Sequence, residues 1–183
     1  MSNNQQIIIS GLGGQGVLFI TKLLAGAAMA DNLPVLTSET HGMAQRGGNV
    51  ISYLKIGDFS GPLIRPATAD VLIALKAESF AHHAYFLKPG GLAVVNSPDP
   101  VEDDRYRVLS GNATALAESA GNVRSENVAM LGFFLGAMQD DEARIFNPDS
   151  LAAMIKEKFQ AKPAVADNVL SLLESGMQLY EKR

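Results

Sequence analysis

Ile7-Ile8-Ile9-Ser10 runs directly into Gly11-Leu12-Gly13-Gly14-Gln15-Gly16, and the fold turns on how that stretch is read. Three β-branched residues closed by a serine form a short buried strand. The glycines that follow allow a tight turn and a close backbone approach. Val17 to Ala30 then reads as a helix, with small residues at Ala25, Gly26, Ala27 and Ala28 that let it lie close on its neighbours. Strand, glycine loop and helix in that order are the opening of an α/β unit. The free N–H groups at such a helix start suit a phosphate or another anion.

The same alternation continues along the chain. Asp31-Asn32 ends the helix and Pro34 introduces a strand at Val35 to Thr37. Ser38 to Gly48 lacks periodicity and reads as a long loop, of the kind that often carries function. Asn49 to Ile56, Asp70 to Leu75 and Leu92 to Val95 read as strands, the last entered through a Pro89-Gly90-Gly91 turn. Ala77 to Leu87 reads as a short helix, Tyr106 to Leu109 as one more strand, and Ala113 to Ala120 as a helix. Beyond this the pattern is helical. Asn127 to Met138 is apolar with small residues, and Asn147-Pro148 is a cap followed by a proline at the first helical position. Leu151, Met154, Ile155 and Phe159 share one face, and a last helix spans about Ala164 to Glu181. Short apolar strands alternating with helices imply a Rossmann-like α/β fold: a mostly parallel sheet, helices on both faces and extra C-terminal helices. No linker or repeat divides the chain, so residues 1–183 are expected to form a single domain.

Composition excludes several function classes. The net charge of −4, with no basic cluster, argues against nucleic-acid binding. The absence of cysteine removes thiolate nucleophiles, cysteine-ligated zinc and iron–sulfur ligation. No signal peptide is read at the polar N-terminus, and no apolar run reaches the length of about 18 residues that spans a bilayer, so a cytoplasmic location is expected. A phosphate-binding loop of the nucleotide-hydrolase type is excluded because Val17-Leu18 stand where lysine and a hydroxyl residue are needed. There is no G-x-S-x-G elbow. Of the three histidines, His82 and His83 are adjacent and diverge on a helix; they read as surface or interface residues and no metal site is expected. The acidic run Glu102-Asp103-Asp104 reads as a solvated loop.

Two stretches remain as candidate sites. Gly11-x-Gly13-x-x-Gly16 matches the dinucleotide fingerprint in form. A NAD or FAD site also needs an acid at the end of the second strand, where Glu39 is the candidate. The alternatives are glycines serving turn geometry alone, or amides offered to another anionic ligand or to a partner's backbone. The second stretch gathers Glu39, Thr40, His41, Gln45 and Arg46 among glycines. Arg46 is suited to clamp a carboxylate or phosphate, or else to pair with Glu39 in a solvated loop.

Gly11-Leu12-Gly13-Gly14-Gln15-Gly16 followed by Glu39-Thr40-His41-Gly42-Met43-Ala44-Gln45-Arg46-Gly47-Gly48 resembles the gamma subunit, or gamma domain, of 2-oxoacid:ferredoxin oxidoreductases, close to the 2-oxoglutarate and indolepyruvate types. Asp70, Lys88-Pro89-Gly90-Gly91 and Asn127-Val128-Ala129-Met130-Leu131-Gly132 extend the likeness over nearly the whole chain. The resemblance implies a part in coenzyme A-dependent oxidative decarboxylation of a 2-oxoacid, with electrons passed to ferredoxin. It implies that thiamine diphosphate, magnesium and iron–sulfur clusters are held by partner chains, namely thiamine-diphosphate-binding alpha and beta subunits and a ferredoxin-like subunit. Homodimerisation of the isolated chain is left open. It further implies that Gly11, Gly13, Gly14, Gln15, Gly16, Thr40, His41, Gln45 and Arg46 lie on the coenzyme A side of a shared site or at an interface, and it gives none of them a catalytic role. A free-standing NAD- or FAD-binding oxidoreductase and a ligand-free assembly module are the competing readings.

Overall fold

The computed structural model describes residues 4–41, 48–139 and 145–181. Six strands form one sheet: β1 (Gln5–Leu12), β2 (Val35–His41), β3 (Asn49–Ile56), β4 (Ala69–Ala74), β5 (Leu87–Asn96) and β6 (Arg107–Gly111). Their order across the sheet is β2-β3-β1-β4-β5-β6. The pairs β1–β4, β4–β5 and β5–β6 are parallel, while β3 runs antiparallel to both β1 and β2. The expected Rossmann-like, mostly parallel sheet is therefore present, with one reversed strand inserted beside β1.

Side-chain alternation sorts the sheet into two apolar layers. Ile7 and Ile9 of β1, Val71 and Ile73 of β4 and Leu92 and Val94 of β5 face one cluster; Ile8, Leu72, Ala74, Ala93 and Val95 face the other. Ile7, Ile8 and Ile9 are all fully buried, and each contributes roughly 1.5–3 kcal/mol by leaving water. The first layer is covered by α1 (Val17–Ala30), α3 (Ala113–Ser119), α4 (Glu126–Ala137), α5 (Pro148–Lys158) and α6 (Pro163–Glu181). The second is covered by the short α2 (Ala77–His83), a 3-10 turn at Ala84–Phe86, and loop residues Ile64, Val101 and Tyr106. Helices lie on both faces, but very unevenly.

Two local readings are corrected. Ser38 to His41 is not loop: it continues β2, with Ser38 opposite Tyr53, Glu39 opposite Ser52 and Thr40 opposite Ile51. An edge strand is held by its backbone ladder, so polar, exposed side chains conceal it from a search for alternating hydrophobicity. Pro89-Gly90-Gly91 is not a turn ahead of the strand but lies within β5. The register moves from Ala69 opposite Leu87 to Val71 opposite Leu92, so Lys88 to Gly91 bulge out opposite Asp70 alone. Asp70 accepts from Lys88 Nζ and from the backbone N–H of Gln6, which ties this bulge to the start of β1.

Helix α4 is buried along its whole length from Asn127 to Ala137, which explains a sequence apolar on every side. It packs on α6 almost backbone to backbone. A Cβ at Gly132 would come within 2.0 Å of the Leu173 carbonyl oxygen, and one at Gly176 within 2.1 Å of that of Ala129. Since the obstacle is backbone, Gly132→Ala is expected to lower unfolding stability by about 2 kcal/mol or more, in the range of overpacked cores. Gly61→Ala, with nothing within 4 Å of its Cβ, is the neutral control in the same denaturant titration.

Candidate functional site

The parallel strands β1, β4, β5 and β6 bring their C-terminal ends together, and the glycine loop leaves β1 there. Gly11 is buried, and a Cβ on it would press on Gln15 Oε1, Leu75 Cβ and Val17 Cγ2 at 3.0–3.1 Å. Gly16 has φ +81° and a Cβ there would strike Asn127 Nδ2. Gly14 has φ +95° with open space around it, so backbone geometry alone demands glycine. Gly13 and Gly14 are exposed. The Gly13 N–H donates to Gly48 O at 3.0 Å, which ties the loop to the start of β3. Among the described residues the N–H groups of Gly14, Gly16, Val17 and Leu18 have no acceptor, and the first turn of α1 carries neither a side-chain cap nor an acid. Such a helix start is electrostatically suited to an anion.

Behind the loop lies a polar chain that sequence reading did not find. Gln15 Oε1 accepts from the Leu12 N–H at 2.7 Å, and its Nε2 donates to Glu126 Oε1 at 2.8 Å and to Leu75 O at 3.4 Å. Glu126 Oε2 accepts from the Thr114 hydroxyl at 2.8 Å, which in turn accepts from Asn96 Nδ2 at 2.9 Å. Asn96 Oδ1 accepts from the N–H groups of Ala113 and Thr114, and so caps the start of α3. The available signals were a polar Asn96 closing the buried run Leu92 to Val95, and Glu126 as the single charge at the head of an otherwise apolar helix. Exposed Lys76 follows Leu75 at the end of β4 and forms no ion pair among the described residues.

Of the residues expected in the site, Gly11, Gly13, Gly14, Gln15 and Gly16 are brought together as one loop. Thr40 lies two strands away on the exposed edge, on the sheet face shared with Tyr53, and the two side chains interact. Burial pushes the Tyr53 phenol above its ordinary range while the Thr40 contact works the other way. His41 ends β2. Gln45 and Arg46, and with Arg46 its suggested pairing to Glu39, lie outside the described residues. Glu39 is exposed on β2. Because β3 intervenes between β2 and β1, Glu39 stands about 10 Å across the sheet from the glycine strand, at two strand spacings. A dinucleotide site places that acid on the strand next to the glycine loop, so the NAD or FAD reading loses its ribose contact.

The adjacent histidines make different contacts, and His83 is half-buried. Its Nδ1 lies 2.7 Å from Ser10 Oγ and 3.2 Å from Ser79 O, and its ring stacks on Phe86. His82 is exposed and donates through Nδ1 to Glu78 O. Among the described residues no group of three or more His, Asp or Glu could hold a metal ion, and no helix is long and apolar enough to cross a membrane. The acidic run is solvated apart from Asp103, which pairs with Arg105 at 2.8 Å.

Residues 6–179 match the family described as pyruvate ferredoxin/flavodoxin oxidoreductase. The chain belongs to that family. It is 35% identical to the indolepyruvate oxidoreductase subunit IorB of Archaeoglobus fulgidus, over 93% of this chain and 92% of that one. The fold agrees with that of the keto/oxoacid ferredoxin oxidoreductase gamma subunit from Geobacter sulfurreducens, at TM-score 0.79 and 21% identity over 98% of this chain and 99% of that one. It agrees also with the 2-oxoglutarate:ferredoxin oxidoreductase of Magnetococcus marinus, solved with 2-oxoglutarate, coenzyme A and succinyl-CoA bound. There the TM-score is 0.82 at 22% identity, covering 98% of this chain and 31% of that one. The family member described here thus has the fold of the gamma subunit solved from Geobacter sulfurreducens.

His83 gives this family member a testable pH response. Burial lowers its pKa below the ordinary value of 6.5, partly opposed by the Ser79 carbonyl. Below that value the unfolded chain takes up a proton that the folded chain resists, so stability is full above it and declines as the pH falls through it. Thermal denaturation between about pH 7.5 and 5.5 is expected to show a falling Tm, and His83→Asn, which keeps a polar group at the Nδ1 position, is expected to flatten the fall.

Proposed function

We propose that this gamma-type chain works only within a complex, where it lends the glycine loop and the start of α1 to coenzyme A while other chains carry out the redox chemistry. The overall reaction joins a 2-oxoacid and coenzyme A into an acyl-CoA, releases carbon dioxide and passes two electrons to ferredoxin. Thiamine diphosphate with magnesium and iron–sulfur clusters supply the decarboxylation and electron transfer in such a reaction. This chain does not fit either group: it has no cysteine to ligate a cluster, and its described residues offer no carboxylate and histidine set for a metal. What it does offer is anion-seeking. The observation that carries the reading is the set of unpartnered amides at Gly14, Gly16, Val17 and Leu18 beside exposed Gly13 and Gly14, with Lys76 at the end of the adjoining strand. Coenzyme A is rich in phosphate, and amides plus a lysine are what a phosphate group requires.

The partners proposed are thiamine-diphosphate-binding alpha and beta chains, a ferredoxin-like chain and ferredoxin as acceptor. Indolepyruvate is the first 2-oxoacid to test, because the relative of matching length is named for it; 2-oxoglutarate and pyruvate are the comparators. Co-purification with the products of neighbouring genes, followed by assay with coenzyme A and ferredoxin, is expected to give turnover from the assembly and none from this chain alone. Turnover by the isolated chain, or a flavin or iron absorption band that purifies with it, overturns the reading. Thr40, His41, Gln45 and Arg46 are proposed to face the same site or a partner chain. Arg46→Ala is therefore expected to raise the KM for coenzyme A or to weaken assembly, and a complex unchanged in both respects removes this segment from the site.

A further inference from the structure

The hydrogen-bond chain behind the glycine loop has a direction that the protein itself sets. The Leu12 N–H can only donate, so the atom of Gln15 facing it at 2.7 Å is the carbonyl oxygen Oε1, and the Gln15 amide nitrogen must point to Glu126. Asn96 is oriented the same way. Its oxygen meets two donors, the N–H groups of Ala113 and Thr114, so its nitrogen donates to Thr114 Oγ1 and to Leu75 O. With its oxygen already accepting from Asn96, the Thr114 hydroxyl turns its proton to Glu126 Oε2. Donors thus converge on Glu126 from both ends, one on each oxygen. Only an acceptor-only group satisfies both at once, which is what a carboxylate is and what an amide is not.

We infer that Gln15 is a positioning residue rather than a ligand contact, and that Glu126 is its required carboxylate partner: together they lock the glycine loop to the starts of α3 and α4. Gln15 has both amide protons engaged, by Glu126 and Leu75, and its oxygen is held by the Leu12 N–H. The same residues close the gap between three strand ends, because Leu75 O at the end of β4 accepts from both Gln15 and Asn96. The consequence for the loop is geometric. With the Leu12 N–H spent on Gln15 and the Gly13 N–H on Gly48, the unpartnered amides begin at Gly14, and their position follows from the pin. Gln15, Glu126, Thr114 and Asn96 therefore affect the ligand through the loop, without touching it. This second step rests on the coenzyme A reading above; the pin does not.

Exchanging the two groups tests the inference. Gln15→Glu sets two carboxylates face to face, and Glu126→Gln faces the Thr114 proton or the Gln15 amide with a donor. The double exchange Gln15→Glu with Glu126→Gln restores the pair: residue 15 still accepts from Leu12, and the new amide at 126 donates to it while its oxygen accepts from Thr114; the 3.4 Å contact to Leu75 O alone loses its donor, and Asn96 still donates there. In the full chain, amide hydrogen exchange at Leu12 measured by NMR is expected to speed up by about tenfold in each single variant and to return towards the wild-type rate in the double variant. In the assembled complex each single variant is expected to raise the KM for coenzyme A by about tenfold, more than it lowers kcat, again with recovery in the double variant. Thr114→Val, a nearly isosteric loss of the hydroxyl, serves if a charge variant does not fold, and is expected to act in the same direction. Unchanged Leu12 exchange in the single variants, or no recovery in the double variant, overturns the pin. Recovered exchange with an unmoved KM upholds the pin and instead overturns the assignment of coenzyme A to this loop.

Discussion

Burial of β1 on both faces and pairing along both edges is the constraint from which the rest of the structure follows. Three consecutive isoleucines fill both apolar layers at once, β3 pairs with the strand from Gln5 to Leu12, and β4 pairs with it in parallel from Ile7 to Ser10. A strand held in that way cannot slip by one residue without turning Ser10 and all three isoleucines to the opposite layers. The position of the glycine loop is thereby settled before any ligand is considered. The Leu75 N–H bonded to Ser10 O continues the same parallel ladder to the point where β4 gives way to Lys76.

The loop itself divides its glycines between two tasks. Gly11 is small because Gln15, Leu75 and Val17 come too close, and Gly16 both because Asn127 lies against it and because its backbone is left-handed. Gly14 is glycine for its left-handed backbone, in open space. A motif shared in form with dinucleotide enzymes is thus compatible with a different ligand. The difference lies in strand order: inserting β3 between β1 and β2 moves the usual ribose-binding position away while leaving the helix start and its amides untouched. Fold and motif together do not specify a substrate, and the family match narrows what they leave open.

Much of the fold was legible in the residues because burial on both faces writes itself as continuous apolar runs, as at Ile7 to Ile9, Asp70 to Leu75 and Leu92 to Val95. Helix ends with conventional chemistry were equally plain; Asn147 caps α5 by accepting from the Asp149 N–H, with Pro148 following. The extension of β2 through Glu39 and Thr40 was hidden because an exposed edge strand needs no apolar alternation. The bulge at Lys88 to Gly91 carries the composition of a turn. The glycine loop was visible as a motif, but its supports were not. Gln15 and Glu126 are 111 residues apart, Asn96 and Glu126 are marked only by their places beside apolar runs, and Thr114 carries no local pattern that sets it apart from a surface residue. Pairings of that kind arise only when the sheet aligns its strand ends.

The contact between α4 and α6 bears on how the chain is made. Helix α4 is apolar on every side, yet the surface that covers it at Gly132 and Gly136 belongs to α6, which follows it in the chain only after α5. During synthesis, therefore, α4 leaves the ribosome with the sheet ready to receive one side and nothing yet translated to cover the other. That side stays uncovered until α6 emerges, and in that interval the nascent polypeptide exposes the surface of Ala129, Gly132, Phe133 and Gly136, which is where a folding assistant would find its purchase.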